Sequence, residues 1–315
     1  MKNRNVIHVA GGLGNQLFQL AFGLSQSKGD ELFLESTLGY PRRNSRGELE
    51  LTDFRLPDTV VVGNLSPNRL LSKLLNLQIR ETIQKKVGTF TLKLLTVVTE
   101  SLLALRYRRK IHLFRSDGVG YSVKGTRFRN NYLVGYFQTY KWFELEEVKS
   151  YMQAMRMGDP GPQFEYFTQL AEIENPIIVH VRRGDYMNEN GIGIVGLDYY
   201  LNAVKIAQAK TSPNAKYWIF SDDLDEAKNL LSFLPKESVR FIDDQWNSSA
   251  LTLEIMRLGE SFILANSTFS YWAAQLSFAP TNFVIAPDPW FQNAESPRDL
   301  IPDEWIRIKT LTPDS

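Results

Sequence analysis

Two adjacent arginines follow an apolar, strand-like run in the middle of the chain. Arg182 and Arg183 come directly after residues 177–181 (IIVHV), and Asp185 lies two positions further on. Guanidinium groups bind phosphate oxygens through pairs of parallel hydrogen bonds, so this position suits a diphosphate ligand. Because side chains alternate along a strand, we expect His180 and Arg182 on one face and Arg183 on the other. The same residues are compatible with an Arg–Asp ion pair that stabilises the loop, and with an ordinary core histidine.

A glycine-rich loop precedes a helix near the N-terminus. Residues 11–16 (GGLGNQ) follow a strand-like run, and apolar residues recur at helical spacing from Leu17 onward, which predicts a helix from about Gln16 to Lys28. Glycines allow a ligand to approach the backbone closely, Asn15 is positioned to cap the helix, and a helix start favours an anion. A tight strand–helix turn that needs glycine only for its geometry would have the same sequence.

The loop matches a dinucleotide-binding fingerprint only in part. Gly12 and Gly14 occupy two of the glycine positions, but Leu17 stands at the third and would crowd the helix against the strand. A nicotinamide-dependent dehydrogenase is therefore the weaker interpretation of this loop.

Polar residues also follow the strand-like run YWIF at positions 217–220, namely Ser221, Asp222 and Asp223. We expect Ser221 or Asp222 to cap the helix that begins there, and capping alone would explain all three residues. Two adjacent aspartates without a nearby histidine or third carboxylate make a poor magnesium site. The sequence therefore predicts no bound metal.

A third polar group lies between the run FILA and a helix-like segment. Its members are Asn266, Ser267, Thr268, Phe269 and Ser270. Hydroxyl groups and the N–H groups of a first helical turn collect there, which favours an anion. A polar cap on a buried helix is the plainer interpretation, and the aromatic stripe that follows is typical of a core.

The segments between these residues indicate how they are positioned. From residue 177 onward, short apolar runs alternate with amphipathic ones, which predicts a parallel, doubly wound α/β sheet. Ligands bind at the carboxyl edge of such sheets, where the polar groups emerge. Residues 157–162 (MGDPGP) break both helix and strand and predict a linker between two domains, 1–156 and 163–315.

Composition excludes several classes of protein. The 315 residues include 36 Lys and Arg against 35 Asp and Glu, so no net field attracts nucleic acid. The absence of cysteine excludes disulfides, zinc thiolate sites and thiol nucleophiles. No apolar run suits a signal peptide or approaches the roughly 18 residues of a membrane span, so we expect a cytoplasmic protein.

One segment is locally basic. Residues 69–110 carry ten Lys or Arg against two Glu. A solvated helical face explains this charge, and contact with anionic lipid at the inner membrane, or with an acidic glycan, is the alternative.

Three motifs together resemble a known family. GGLGNQLFQ (11–19), HVRRGDY (180–186) and ANSTFSYWAAQL (265–276) occur in the order found in the α-1,2-fucosyltransferases of glycosyltransferase family 11. More distantly, they are similar to protein O-fucosyltransferases and α-1,6-fucosyltransferases. The resemblance implies two facing Rossmann-like domains of the GT-B type. It also implies inverting transfer of L-fucose from GDP-fucose to the 2-hydroxyl of a galactose in an oligosaccharide or O-antigen glycan, without metal or other cofactor.

The resemblance also implies roles for single residues. Arg182 would bind the β-phosphate of the donor, and Asp185 is the candidate general base. The remaining residues expected at the donor are Gly12, Leu13, Gly14, Asn15, His180, Ser221, Asp222, Asp223, Asn266, Ser267, Thr268, Phe269 and Ser270. Among them, Asn15 would approach the fucose and the phosphate, and the two aspartates would lie near the nucleoside. A non-catalytic glycan-binding protein on a transferase scaffold is the alternative function.

Overall fold

A computed structural model describes most of the chain. The described residues are 4–64, 91, 94, 95, 97–99, 101, 102, 105, 112–115, 130–184, 193–212, 214–291, 296 and 299–310. They form two compact units, Met1–Met155 and Arg156–Ser315. Each unit contains one parallel sheet.

The first unit is built on a five-stranded sheet in the order β3-β2-β1-β5-β4, with all neighbours parallel. Its strands and helices with described bounds are β1 (Arg4–Gly11), α1 (Leu13–Ser27), β2 (Glu31–Pro41), β3 (Val60–Gly63), β4 (His112–Arg115), β5 (Asn130–Val134) and α2 (Glu146–Ala154). Short 3-10 helices occupy Glu50–Asp53 and Tyr140–Trp142. Helix α1 buries Leu17, Phe18 and Leu20 completely, because apolar residues recur on its inner face.

The second unit is built on a six-stranded parallel sheet in the order β11-β10-β9-β6-β7-β8. Its elements are α3 (Gly161–Glu174), β6 (Ile177–Val181), α4 (Leu197–Lys210), β7 (Tyr217–Ser221), α5 (Leu224–Leu230), β8 (Val239–Phe241), α6 (Ser249–Met256), β9 (Ser261–Ile263), α7 (Thr268–Gln275), β10 (Phe283–Asp288) and β11 (Ile306–Lys309). Counted from β6, the strands follow the standard 3-2-1-4-5-6 order of a Rossmann fold.

The second unit confirms the alternating elements that the sequence predicts from residue 177 onward. All five residues of β6 are buried, because a parallel sheet is covered on both faces and selects continuous apolar strands. Residues 157–162 follow the division between the units, and α3 begins within them at Gly161. No helix in the described part of the chain is long and apolar enough to cross a membrane.

Candidate active site

The order of strands in the second unit places its predicted site residues at one edge of the sheet. The winding direction reverses between the neighbouring strands β6 and β9. The segment that leaves β6 carries Arg182, and the segment that leaves β9 carries Asn266 and Ser267. Open α/β sheets bind ligands in the crevice at such a reversal, outside the carboxyl ends of the strands. Asp222 follows β7, which pairs with β6 on its other side.

Arg182 forms an ion pair with this aspartate. Its Nε lies 3.2 Å from Oδ2 of Asp222, and the two side chains are 16% and 23% exposed. Arg182 and Asp222 each follow the last paired residue of a strand. They lie next to each other because Val181 of β6 pairs with Ser221 of the neighbouring parallel strand β7. The partial burial holds the pair more firmly than a fully solvated one.

Arg183 has a different environment, as alternation along the strand predicts. Its side chain is buried, and Nη1 donates a hydrogen bond of 2.9 Å to the carbonyl of Val195. Its backbone N–H donates to Oδ1 of Asp222 at 2.8 Å. Arg183 therefore holds together the two described ends of the segment that connects β6 to α4.

His180 is a buried, neutral residue beside Arg182. Burial first, and the charge of Arg182 second, lower the pKa of His180 from 6.5 to about 3. Its ring centroid lies 6.3 Å from that of Phe269, at the start of α7. Its carbonyl accepts a hydrogen bond from the Tyr200 hydroxyl. A lowered pKa makes this histidine a weak general base near neutral pH, because proton transfer is most efficient when the pKa of the base lies near the operating pH.

The polar group before α7 serves partly as the cap that the sequence allows. Ser267 is the N-cap, and its Oγ accepts a hydrogen bond from the N–H of Phe269 at 3.4 Å. The buried hydroxyl of Ser270 donates to the carbonyl of Ser267. The Asn266 amide donates to the carbonyls of Gly193 and Trp290, which ties two loops together. Thr268 is half-buried in the first turn.

The predicted cap of α5 is wrong. The N-cap is Asp223, whose carboxylate accepts a hydrogen bond of 3.0 Å from the N–H of Glu226, rather than Ser221 or Asp222. Ser221 instead exchanges two hydrogen bonds with the backbone of Asp223, which forms the turn before the helix. Helix α5 therefore begins later than we expect from the sequence, and Asp222 lies in the turn before it. The Asp222 carboxylate contacts residues 182 and 183 instead of capping the helix.

The glycine-rich loop belongs to the first unit, and its predicted cap is also wrong. Helix α1 begins at Leu13, with the extended Gly12 as a cap that has no side chain. Asn15 therefore lies inside the first turn with Gly14, and its Oδ1 accepts a hydrogen bond from the Gln138 side chain at 2.8 Å.

The sharp turn into α1 is made at Gly11, the only residue of the loop with a positive φ, +75°. A Cβ at Gly11 would lie 2.6 Å from Nδ2 of Asn15. Glycine is required there for both backbone conformation and space.

Sequence reasoning missed two buried glutamines of the first motif. Gln16 donates to the carbonyls of Gly11 and Arg42 and accepts from the N–H of Leu51. Gln19 accepts from the N–H of Ala10 and donates to the carbonyl of Gly135. Both side chains are fully buried, and their position three residues apart on an otherwise apolar helix face is the signal that could have identified them.

Some predicted features lie outside the described residues. Asp185 is one of them, as is most of the basic segment 69–110. Within the part of the chain that the structure describes, no three His, Asp or Glu residues form a group that could hold a metal ion.

Comparison with known proteins identifies the family. The model of glycosyl transferase family 11 matches residues 67–309, which is more than half of the chain. The chain belongs to glycosyltransferase family 11. This confirms the family that the three motifs predict, and with it the enzyme class of glycosyltransferase.

Two relatives from Escherichia coli match over nearly their whole length. An alpha-1,2-colitosyltransferase is 26% identical over 313 residues, which cover 96% of this chain and 98% of the relative. The O-antigen biosynthesis glycosyltransferase WbnK is 24% identical, with 95% and 99% covered.

A solved structure supports the fold. The fucosyltransferase NodZ from Bradyrhizobium is similar with a TM-score of 0.52 over 94% of this chain and all of that chain, at 14% identity. The NodZ α-1,6-fucosyltransferase has also been crystallised and soaked with GDP-fucose, and that structure gives a TM-score of 0.50. The predicted fold class, α/β of the GT-B type with two Rossmann-like domains, is confirmed.

Proposed function

We propose that this family 11 enzyme transfers L-fucose from GDP-fucose to the 2-hydroxyl of a galactose in an O-antigen or related oligosaccharide, with inversion at the anomeric carbon. The observation that carries the proposal is Arg182 at the point where the winding of the second sheet reverses. One relative is an alpha-1,2-colitosyltransferase and another is an O-antigen biosynthesis glycosyltransferase, and these activities support the α-1,2 linkage and the O-antigen acceptor. The structure of NodZ soaked with GDP-fucose supports the donor.

Arg182 and the start of α7 form the proposed site for the donor diphosphate. His180 connects the two, since it precedes Arg182 by two residues and its ring centroid lies 6.3 Å from that of Phe269. A guanidinium and the N–H groups of a first helical turn both stabilise phosphate oxygens. Ser267 and Asn266 make contacts that hold the start of the helix and its loop in place.

The proposed reaction breaks the bond between the anomeric carbon and the β-phosphate oxygen. That oxygen keeps the electron pair, so negative charge grows on GDP as it leaves. Arg182 would stabilise this charge in the transition state more than in the ground state, which is the condition for catalysis. The acceptor hydroxyl attacks the opposite face of the sugar and loses its proton. The lowered pKa of His180 makes that residue a weak base, and we propose Asp185, the residue that the family resemblance implies, as the base that accepts this proton.

A second candidate donor sugar is colitose, because one relative is named an alpha-1,2-colitosyltransferase. A donor screen with GDP-fucose and GDP-colitose separates the two proposals. We expect release of GDP from GDP-fucose in the presence of a galactose-terminated oligosaccharide, and an α-1,2 linkage in the NMR spectrum of the product. Transfer from GDP-colitose alone would support the second candidate. Binding of glycan without any GDP release would instead indicate a non-catalytic glycan-binding protein.

A further inference from the structure

The carboxylate of Asp222 contacts the segment that carries the two arginines at successive positions. Oδ2 pairs with Nε of Arg182 at 3.2 Å, and Oδ1 accepts a hydrogen bond of 2.8 Å from the backbone N–H of Arg183. A Cβ at Gly184 would lie 2.5 Å from Oδ2. One carboxylate thus holds a side chain and a backbone N–H, and it fills the space that a side chain at residue 184 would need.

This arrangement follows from the register of two parallel strands. Val181 and Ser221 are the last paired residues of β6 and β7, so residues 182 and 222 leave the sheet next to each other. Asp222 does not cap α5, because Asp223 performs that function. Its contacts with residues 182 and 183 account for both of its carboxylate oxygens.

A fixed arginine is a better phosphate ligand than a mobile one. Arginine has many rotamers, and immobilising it at the moment of reaction costs free energy that a preformed contact removes. The ion pair with Asp222 restricts the positions that the guanidinium occupies before any ligand arrives.

We propose that Asp222 is a positioning residue that orients Arg182 toward the leaving phosphate, rather than a contact to the nucleoside of the donor. The inference rests on the proposed function, in which Arg182 binds the β-phosphate. It replaces the nucleoside contact that the family resemblance implies for Asp222 with a role exerted through the arginine.

A double-mutant cycle tests the coupling. Asp222→Asn keeps an oxygen that can accept a hydrogen bond from the N–H of Arg183. It replaces the oxygen that faces Nε of Arg182 with an uncharged NH2 group, which cannot form the ion pair. We expect kcat to fall by roughly 10²-fold, the typical effect of a misplaced catalytic group, with a smaller change in the donor KM. In an Arg182→Ala background the same substitution should change kcat by no more than about twofold, since the residue through which it acts is gone. An equal loss in both backgrounds would overturn the inference.

Nucleotide binding tests the two roles without catalysis. If Asp222 acts through Arg182, Asp222→Asn should lower the affinity for GDP by about tenfold, which is the typical effect of losing one charge-assisted hydrogen bond. Titration calorimetry measures this affinity. GMP, which lacks the β-phosphate, should bind as it does to the unsubstituted protein. An equal loss for GMP would indicate a nucleoside contact and contradict the inference. Failure of the unsubstituted protein to bind GDP would instead contradict the proposed function.

Two further variants complete the test: Asp225→Asn is the matched control, and Gly184→Ala displaces the Asp222 carboxylate without changing it. Asp225→Asn removes a carboxylate that is 90% exposed and pairs with the solvated Lys228 at 2.9 Å, so kcat should not change. Gly184→Ala keeps every charge but pushes the Asp222 carboxylate aside, so it should imitate Asp222→Asn in kcat while the melting temperature shows a folded protein. Unchanged turnover of a folded Gly184→Ala variant would count against the inference.

Discussion

At the scale of single residues, two neighbouring arginines have different environments. Arg182 is partly exposed and pairs with Asp222, whereas Arg183 is buried and bonds to a backbone carbonyl. The difference arises because successive side chains at the end of a strand point to opposite faces. Chemistry at this edge of the sheet should therefore depend on the first arginine, and local order on the second.

Arg182→Lys tests this division of roles. Lysine keeps the charge but loses the planar pair of donors, so kcat with GDP-fucose should fall by roughly 10² to 10³-fold while circular dichroism remains unchanged. Arg183→Lys should lower the melting temperature more than it lowers kcat. Near-normal turnover of a folded Arg182→Lys protein would contradict the assignment, and a larger loss of kcat from Arg183→Lys would reverse it.

His180 should make stability depend on pH. Its pKa of about 3 in the folded protein lies below the value of 6.5 expected after unfolding, so the unfolded chain binds the extra proton as pH falls. This contribution to the free energy of unfolding is complete above pH 6.5 and declines by about 2 kcal/mol between pH 8 and pH 5. His180→Gln removes it, while other titrating groups cancel in the comparison. Urea unfolding of both proteins across this range measures the difference, and parallel pH profiles would disprove it.

At the scale of elements, helix α1 is attached to its sheet by buried amides as well as by apolar packing. At the carboxyl edge of the sheet, the side chains of Gln16 and Gln19 bond to backbone groups at the ends of strands. Gln19 bonds to Ala10 of β1 and to Gly135 after β5, and Gln16 bonds to Arg42 after β2. The glycine loop thereby receives a fixed shape from the helix that follows it.

Gln16→Leu should destabilise the protein by about 1–3 kcal/mol, because the buried N–H of Leu51 loses its acceptor. Gln169→Leu, on the exposed face of α3, is the matched control and should change stability by no more than about 0.5 kcal/mol. Denaturant unfolding of the two variants measures both values. Equal effects would mean that the buried hydrogen bonds of Gln16 contribute nothing.

At the scale of the whole molecule, both units use the same parallel α/β architecture, and the family model extends across them from residue 67 to residue 309. Because the sheets themselves are buried, the residues available to bind a ligand are those at the ends of the strands.

Transfer should not require a divalent metal. The proposed charge stabilisation by Arg182 needs none, and the described residues contain no cluster of three metal-binding side chains. We expect initial rates with GDP-fucose to be the same in EDTA as in buffer, with added magnesium or manganese as the control. Activity that is lost on chelation and restored by manganese would contradict this mechanism.

The sequence by itself was sufficient for the family, the alternating elements of the second unit and the place of Arg182 at a strand end. These depend on local pattern: residues 177–181 are apolar throughout because both faces of the strand are covered, and a charged pair directly after them must lie at the sheet edge. The short strand β11 was not predicted, because its four residues alternate in burial and lack a distinctive run.

Only the tertiary structure decided which partners the site residues take. The residue at which a helix begins depends on the backbone angles of the folded chain, and several neighbouring residue types are equally suited to a cap. Residue type alone therefore did not identify the caps at Gly12 and Asp223. The pairing of Arg182 with Asp222 joins residues forty positions apart, and it exists because β6 and β7 lie side by side in register. Such a contact is set by strand order, a property of the folded sheet that no local pattern contains.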